Sequence, residues 1–193
     1  MNDIKNLILD KARDRFDRFG YKKTTMDEIS ADCRISKKTL YEHFQDKENL
    51  FNCLFMREGR EAQTVIFART QGIANPLDRL KQLIRAAIDY FSEDNFLTRI
   101  LKDEDALFSA FITKKYRYKM AEDIISGIAA IISEGKELGL VRDVDEKVVA
   151  YAGLKLFESF SYMRTVEFEE EKEEQGYYKE ALVDFFINAV AKK

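Results

Sequence analysis

The sequence predicts an all-α protein, and three observations predict it. Proline occurs once and glycine eight times in 193 residues, so helix breakers are sparse. Apolar residues recur at intervals of three and four through most of the chain, while β-branched residues seldom alternate with polar ones as they do in a half-buried strand. Residues with capping chemistry stand where several of those stripes begin, and glycines stand where two of them end.

Taken in order, Ile4, Leu7, Ile8, Ala12, Phe16 and Phe19 give an amphipathic first helix that Gly20 can close in a left-handed cap. Thr25 with Glu28 is a capping box: the hydroxyl accepts from an orphan backbone N–H and the glutamate reaches back to the cap's own N–H. Ser36 caps a third helix, with Ile35 before it and Leu40 inside it placed to staple the turn. Leu40 and Phe44 then share the buried face. Asp46 caps a fourth helix that continues to about Arg69. Gln71–Asn75 is a loop, and Pro76 opens a helix whose stripe is Leu77, Leu80, Ile84, Ala87, Ile88 and Phe91. A short helix from Asn95 precedes a less regular aromatic segment, Leu107–Phe111. Ala121, Ile125, Ile128 and Ile132 mark a long helix closing near Gly139. Asp145 or its neighbours begin the next, which runs through Phe157 and Phe160 to an acidic run, Glu169–Glu174, read as a solvated loop. From Tyr178 onward, Leu182, Phe185, Phe186, Ala189 and Val190 line one face of the last helix.

The chain, 22.6 kDa with formal charge −3, is long enough to bury a substantial core. Residues 1–50 hold 11 Lys and Arg against 10 Asp and Glu, leaving 21 against 25 for the remainder, so any nucleic-acid contact rests on a few positioned cations rather than on a broad basic face. Two cysteines, Cys33 and Cys53, and a single histidine are too few for a closed zinc site. The thiols are expected to pack as small apolar groups, and no metal or cofactor is expected. No leader or long apolar span stands out, which points to a cytoplasmic protein without a membrane segment. Catalysis is not expected either. The sole histidine, His43, lies on the third helix away from any nucleophile, and no glycine-rich phosphate loop is present.

The stretch Thr25–Lys47 reads as two short helices joined by a tight turn, with Lys37, Lys38, Thr39, Tyr41 and His43 able to point donors outward from the second. That is the pattern of a helix-turn-helix reader, in which phosphates take cations and hydroxyls and base edges are met from the start of the helix. An ordinary helical corner with solvated lysines fits the spacing as well. The run Thr25-Met-Asp-Glu-Ile-Ser, then Ile35-Ser-Lys-Lys-Thr-Leu-Tyr41, then Phe44 and Asp46-Lys-Glu-Asn-Leu50, resembles the DNA-binding domain of TetR-family repressors over roughly the first fifty residues. The resemblance implies a helix-turn-helix domain over residues 1–47 and a helical effector-binding and dimerisation domain over 48–193. It also implies phosphate contacts from Thr25, Tyr41, His43 and Lys47 and base contacts from Lys37, Lys38 and Thr39. Two positions depart from it: Arg34 and Lys38 stand where glycine is usual.

The resemblance further implies a homodimer on a palindromic operator in double-stranded DNA, with the last two helices forming a bundle across the dimer axis. Leu156, Phe160, Leu182, Phe185, Phe186 and Ala189 are the expected interface; an intramolecular core is the other reading of the same stripe. For a small apolar or aromatic effector, the converging stripes select Ile84, Ile88, Phe91, Phe111, Met120, Ile124 and Phe157, although aromatic residues at helical spacing also simply fill cores. Asp89, Glu104 or Glu158 could add negative charge there and favour an aromatic cation, but each reads first as a solvated surface carboxylate. The function expected is ligand-responsive repression; a helical adaptor, or a constitutive DNA-binding protein without a ligand, is the alternative.

Overall fold

Side-chain caps open six of the described helices. The computed structural model describes residues 2–92, 94–102, 110–161 and 176–193, and among these the chain forms nine α-helices. They are α1 (Asn2–Lys23), α2 (Met26–Asp32), α3 (Lys37–His43), α4 (Lys47–Ala68), α5 (Pro76–Ser92), α6 (Phe96–Lys102), α7 (Ala110–Glu137), α8 (Glu146–Ser161) and α9 (Tyr177–Val190). The capping box is complete: the Thr25 N–H donates to Glu28 Oε2 at 2.9 Å and the Glu28 N–H to Thr25 Oγ1 at 3.3 Å. Ser36 accepts from the Thr39 N–H at 3.0 Å and Asp46 from the Asn49 N–H at 2.7 Å. Asn75, Asn95 and Asp145 open α5, α6 and α8 in the same way.

Two expectations change. Gly20 interrupts α1, but with φ 77° and ψ 166°, an extended mirror-image conformation open in practice to glycine alone, rather than a left-handed helical cap. The long helix marked by Ala121 begins earlier, at Ala110, so Phe111 is helical and not part of an irregular segment. Glu104, Leu107 and the acidic run Glu169–Glu174 lie outside the described residues. Among the described residues no helix is long and apolar enough to cross a membrane.

The interior forms two apolar clusters, and the first does not stop at residue 47. It gathers Ile8, Leu9, Ala12 and Phe16 of α1, Ile29, Leu40 and Phe44 of the helix pair, Leu50–Ala62 of α4, and Phe96, Leu97, Ile100 and Leu101 of α6. Ile4, Leu7 and Phe19 of the α1 stripe remain exposed. Cys33 is buried in this cluster, where loss of solvent pushes its thiol pKa up, and Cys53 packs against it. The second cluster joins Ile66 of α4 to α5, α7, α8 and α9. Helix α4 therefore belongs to both. The chain end is pinned as well: the Arg142 N–H donates to Val190 O and the Lys192 N–H to Leu140 O, each at 2.9 Å.

Candidate nucleic-acid interface and apolar cleft

The turn between α2 and α3 is a Schellman ending. The Ile35 N–H reaches Ser30 O at 3.1 Å and the Arg34 N–H reaches Ala31 O at 3.0 Å, a pair of bonds that needs a left-handed residue between them. That residue is Arg34, with φ 54°. Its Cβ meets the strain that glycine avoids. Arg34→Gly is expected to stabilise the fold by up to about 1 kcal/mol, the relieved strain outweighing the extra freedom of the unfolded chain. Urea denaturation checks this, and a lower midpoint would show that the arginine side chain contributes more than its backbone costs.

The turn sets α3 so that Leu40 and Phe44 are buried while Lys37, Lys38 and Tyr41 face solvent. The outward groups differ in how free they are. Lys37 Nζ lies 2.6 Å from Asp27 Oδ2, across the turn. The Thr39 and Ser36 hydroxyls share a 2.9 Å hydrogen bond. Thr25 is exposed and occupied by its capping box, His43 is half-buried at the end of α3, and Lys38 has no side-chain partner among the described residues. Behind this surface Arg15 pairs with both Glu28 and Asp32. Bonds from Thr25 hold the Glu28 carboxyl below its usual range, and bonds from Arg15 do the same for Asp32.

Lys47 has a role that the motif does not announce. Its Nζ donates to Tyr21 O at 3.0 Å and to Thr24 O at 2.9 Å, and sits 4.3 Å from the centre of the Tyr21 ring. The end of α1 at Lys23 leaves nearby carbonyls without helical partners, and Lys47 collects those of Tyr21 and Thr24 from the first turn of α4. Burial lowers its pKa. The orphan carbonyls that follow any helix end were the available signal. Two further ties had none, since the partners are far apart in sequence. Buried Glu58 of α4 pairs with Arg13 of α1 at 3.1 Å, and Arg99 of α6 grips Asp17 of α1 with two bonds of 2.8 Å.

Where α4, α5, α7, α8 and α9 converge, a cleft encloses about 750 Å³ of empty space, its open mouth included. Ile84, Phe91, Ile124 and Phe157 line it, as the stripes suggest. Ile88 does not line it: it sits at the edge of that α5 face, beside Arg85 and Asp89, which pair with Glu180 and Lys179 and latch α5 to α9. Nor does Met120, which wedges against Gly59, where an added Cβ would collide with its Cε. The Phe111 side chain lies outside what is described. Sequence reasoning missed Gln63, Ile66 and Phe67, which bring α4 itself into the wall; their i, i+3, i+4 spacing was the signal. No carboxylate is in the described lining, and of the two readings of Asp89 and Glu158 the surface one fits: Asp89 pairs with Lys179 and Glu158 with Lys155.

The comparisons with known proteins agree with this geometry. The pattern of the "bacterial regulatory proteins, tetR family" matches residues 8–54, the span from α1 to the middle of α4. The HTH-type transcriptional regulator YhgD of Bacillus subtilis is 31% identical over 157 residues, covering 80% of this chain and 81% of that one. The chain belongs to the TetR family. The crystal structure of AibR in complex with isovaleryl coenzyme A and operator DNA superposes with a TM-score of 0.60 at 25% identity, covering 96% of this chain and 97% of that one. SmeT in complex with triclosan gives 0.73 at 19% identity, covering 99% and 93%.

As a TetR-family regulator the protein carries an apolar surface on its last two helices, but it is narrower than the stripe suggests. Leu182 and Phe186 are buried inside the subunit and line the cleft. Gly153 of α8 makes room for the Phe186 ring, since a Cβ there would stand 2.5 Å from Phe186 Cε2. Leu156 also faces the cleft. What remains outward is Phe160 on α8 and Phe185 and Ala189 on α9, joined by Val148, Tyr151 and Tyr177.

Proposed function

We propose that this TetR-family regulator is a homodimeric repressor that leaves a palindromic operator when a small apolar effector enters the cleft. The observation that carries the reading is the double membership of α4. Its 22 residues span roughly 33 Å, with Lys47 braced against α1 at one end and Gln63, Ile66 and Phe67 in the cleft wall at the other. A ligand that binds one setting of α4 more tightly than another shifts the population toward it, and equal affinity for both would shift nothing. The ties Glu58–Arg13 and Arg99–Asp17 would carry that shift to α1 and so to the helix-turn-helix unit of residues 1–47. There Thr25, Tyr41, His43 and Lys47 would meet phosphates, and Lys37, Lys38 and Thr39 base edges. The complex of AibR with a coenzyme A thioester and operator DNA supports the pairing of ligand and operator in this fold.

The test begins with selection of bound sequences from a random DNA pool, followed by a screen of apolar compounds for release. Ala87→Trp, which fills the cleft from α5, is expected to keep ligand-free operator affinity and to abolish release. Release that survives the plug would place the effector elsewhere. A protein that holds its operator against every compound of a broad apolar library would be a constitutive binder.

A further inference from the structure

We infer that Gln63 is the polar anchor of the cleft: its Nε2 donates one hydrogen bond to an acceptor oxygen, such as a carbonyl, ester or ether, on an otherwise apolar and uncharged ligand. The inference rests on the reading of the cleft as the effector site and adds the chemistry that the site selects. Four buried side-chain polar atoms among the described residues have no hydrogen-bond partner: Asn52 Oδ1, Gln63 Nε2, Thr98 Oγ1 and Ser161 Oγ. Of these four residues, Gln63 alone lines the cleft, and the other fifteen described lining residues are apolar. An amide donor buried without a partner is a standing cost to the fold. A leucine or methionine would fill the same wall without that cost, so the donor's use lies in what enters.

The same wall argues against charge. No described cationic side chain lines the cleft, and Arg85 and Lys179 at the α5–α9 seam are held by Glu180 and Asp89. A carboxylate or ammonium taken into this space would lose its hydration and find no counter-charge. A neutral acceptor loses little hydration and satisfies the orphan donor. Its position adds a consequence for signalling. Gln63 lies sixteen residues after Lys47 on α4, so the one directional bond in the site is made by the helix that reaches the reader.

The test uses the full-length protein and a neutral fluorescent ketone, 6-propionyl-2-(dimethylamino)naphthalene, whose emission moves to the red when its carbonyl accepts a hydrogen bond. Two competitors bracket it: 2-propylnaphthalene, which has no acceptor oxygen, and 2-naphthoate, which is ionised at neutral pH. Gln63→Leu is expected to weaken the ketone roughly five- to tenfold and to move its bound emission to the blue. It should leave 2-propylnaphthalene within about twofold, since that ligand makes no hydrogen bond to lose. In the wild type 2-naphthoate should bind at least about tenfold more weakly than the ketone, the expected penalty for an unpaired buried charge. Gln63→Met, which keeps the shape without the donor, repeats the measurement should leucine pack badly. Equal losses for ketone and hydrocarbon, no loss for either, or 2-naphthoate as tight as the ketone would overturn the anchor. If the ketone is excluded by Ala87→Trp in those cases, the cleft reading stands. Ketone binding that persists in Ala87→Trp, or no binding to the wild type, overturns both.

Discussion

Phe185→Asp is expected to turn the protein into a monomer and to remove most of its specific operator affinity while leaving its helical content and unfolding midpoint close to wild type. Phe185 is 61% exposed, and Val148, Tyr151, Phe160 and Tyr177 are also exposed on the last two helices. Large apolar side chains left exposed next to one another mark an interface more often than a free surface, and Phe185 with Ala189 one turn on supplies such a strip on the last helix. In a two-fold contact the same patch is used by both subunits, so one substitution brings two carboxylates into it. Unpaired and desolvated, they would weaken the dimer by several kcal/mol, on the order of 3–5. A single reader helix sees few base pairs, whereas a dimer reads two half-sites roughly 34–36 Å apart, so specific binding should fall with the dimer. Analytical ultracentrifugation and an anisotropy titration read the two effects separately. Leu182→Asp or Phe186→Asp should behave differently, because those side chains are buried within the subunit and a charge there should unfold it. A wild-type protein that sediments as a monomer at high concentration would refute the interface.

The contrast between Phe185 and Phe186 shows where sequence reasoning stopped. Both are apolar and both lie on the stripe of the last helix, yet they point about 100° apart, one outward and one over Gly153. Hydropathy cannot separate a subunit core from an interface, because both remove the same side chains from water. Helix starts that carry a side-chain cap, by contrast, were legible almost to the residue, whereas α7 begins at Ala110, well before the stripe that marked it. Caps are local: Thr25 with Glu28, Ser36, Asp46, Asn75 and Asp145 each act within three positions. The positive φ of Arg34 was legible only through the resemblance, which puts a glycine at that position. The cleft was legible in part. Ile84 and Phe91 follow from spacing along one helix, but the exclusion of Met120 depends on Gly59, sixty-one positions away, having no side chain. Contacts such as Arg99 with Asp17 leave no trace in a pattern of period three or four.

Substitutions in the reader should separate three kinds of cation. Lys38→Ala is expected to cost roughly 1–3 kcal/mol on the selected operator if its contact is bidentate, and to relax preference at particular base pairs while hardly changing binding to random DNA. Lys47→Ala should weaken all sequences about equally and lower the salt slope by about one phosphate's worth. It should also destabilise the free protein by about 1–3 kcal/mol, because the carbonyls of Tyr21 and Thr24 lose a charged donor. Lys37 is the intermediate case. In the free protein its ammonium is held by Asp27, so DNA must compete for it, and the Asp27 carboxylate adds repulsion toward the same phosphates. Asp27→Asn should therefore tighten binding. The exposed pair is worth at most about 1 kcal/mol, which limits the gain from freeing Lys37 to about fivefold, and the gain should shrink as salt screens both terms. Competition titrations on selected and random duplexes at two salt concentrations distinguish the three. Equal losses for Lys37→Ala, Lys38→Ala and Lys47→Ala on both kinds of DNA would mean that all of these lysines act as point charges, and that sequence is read from some other surface.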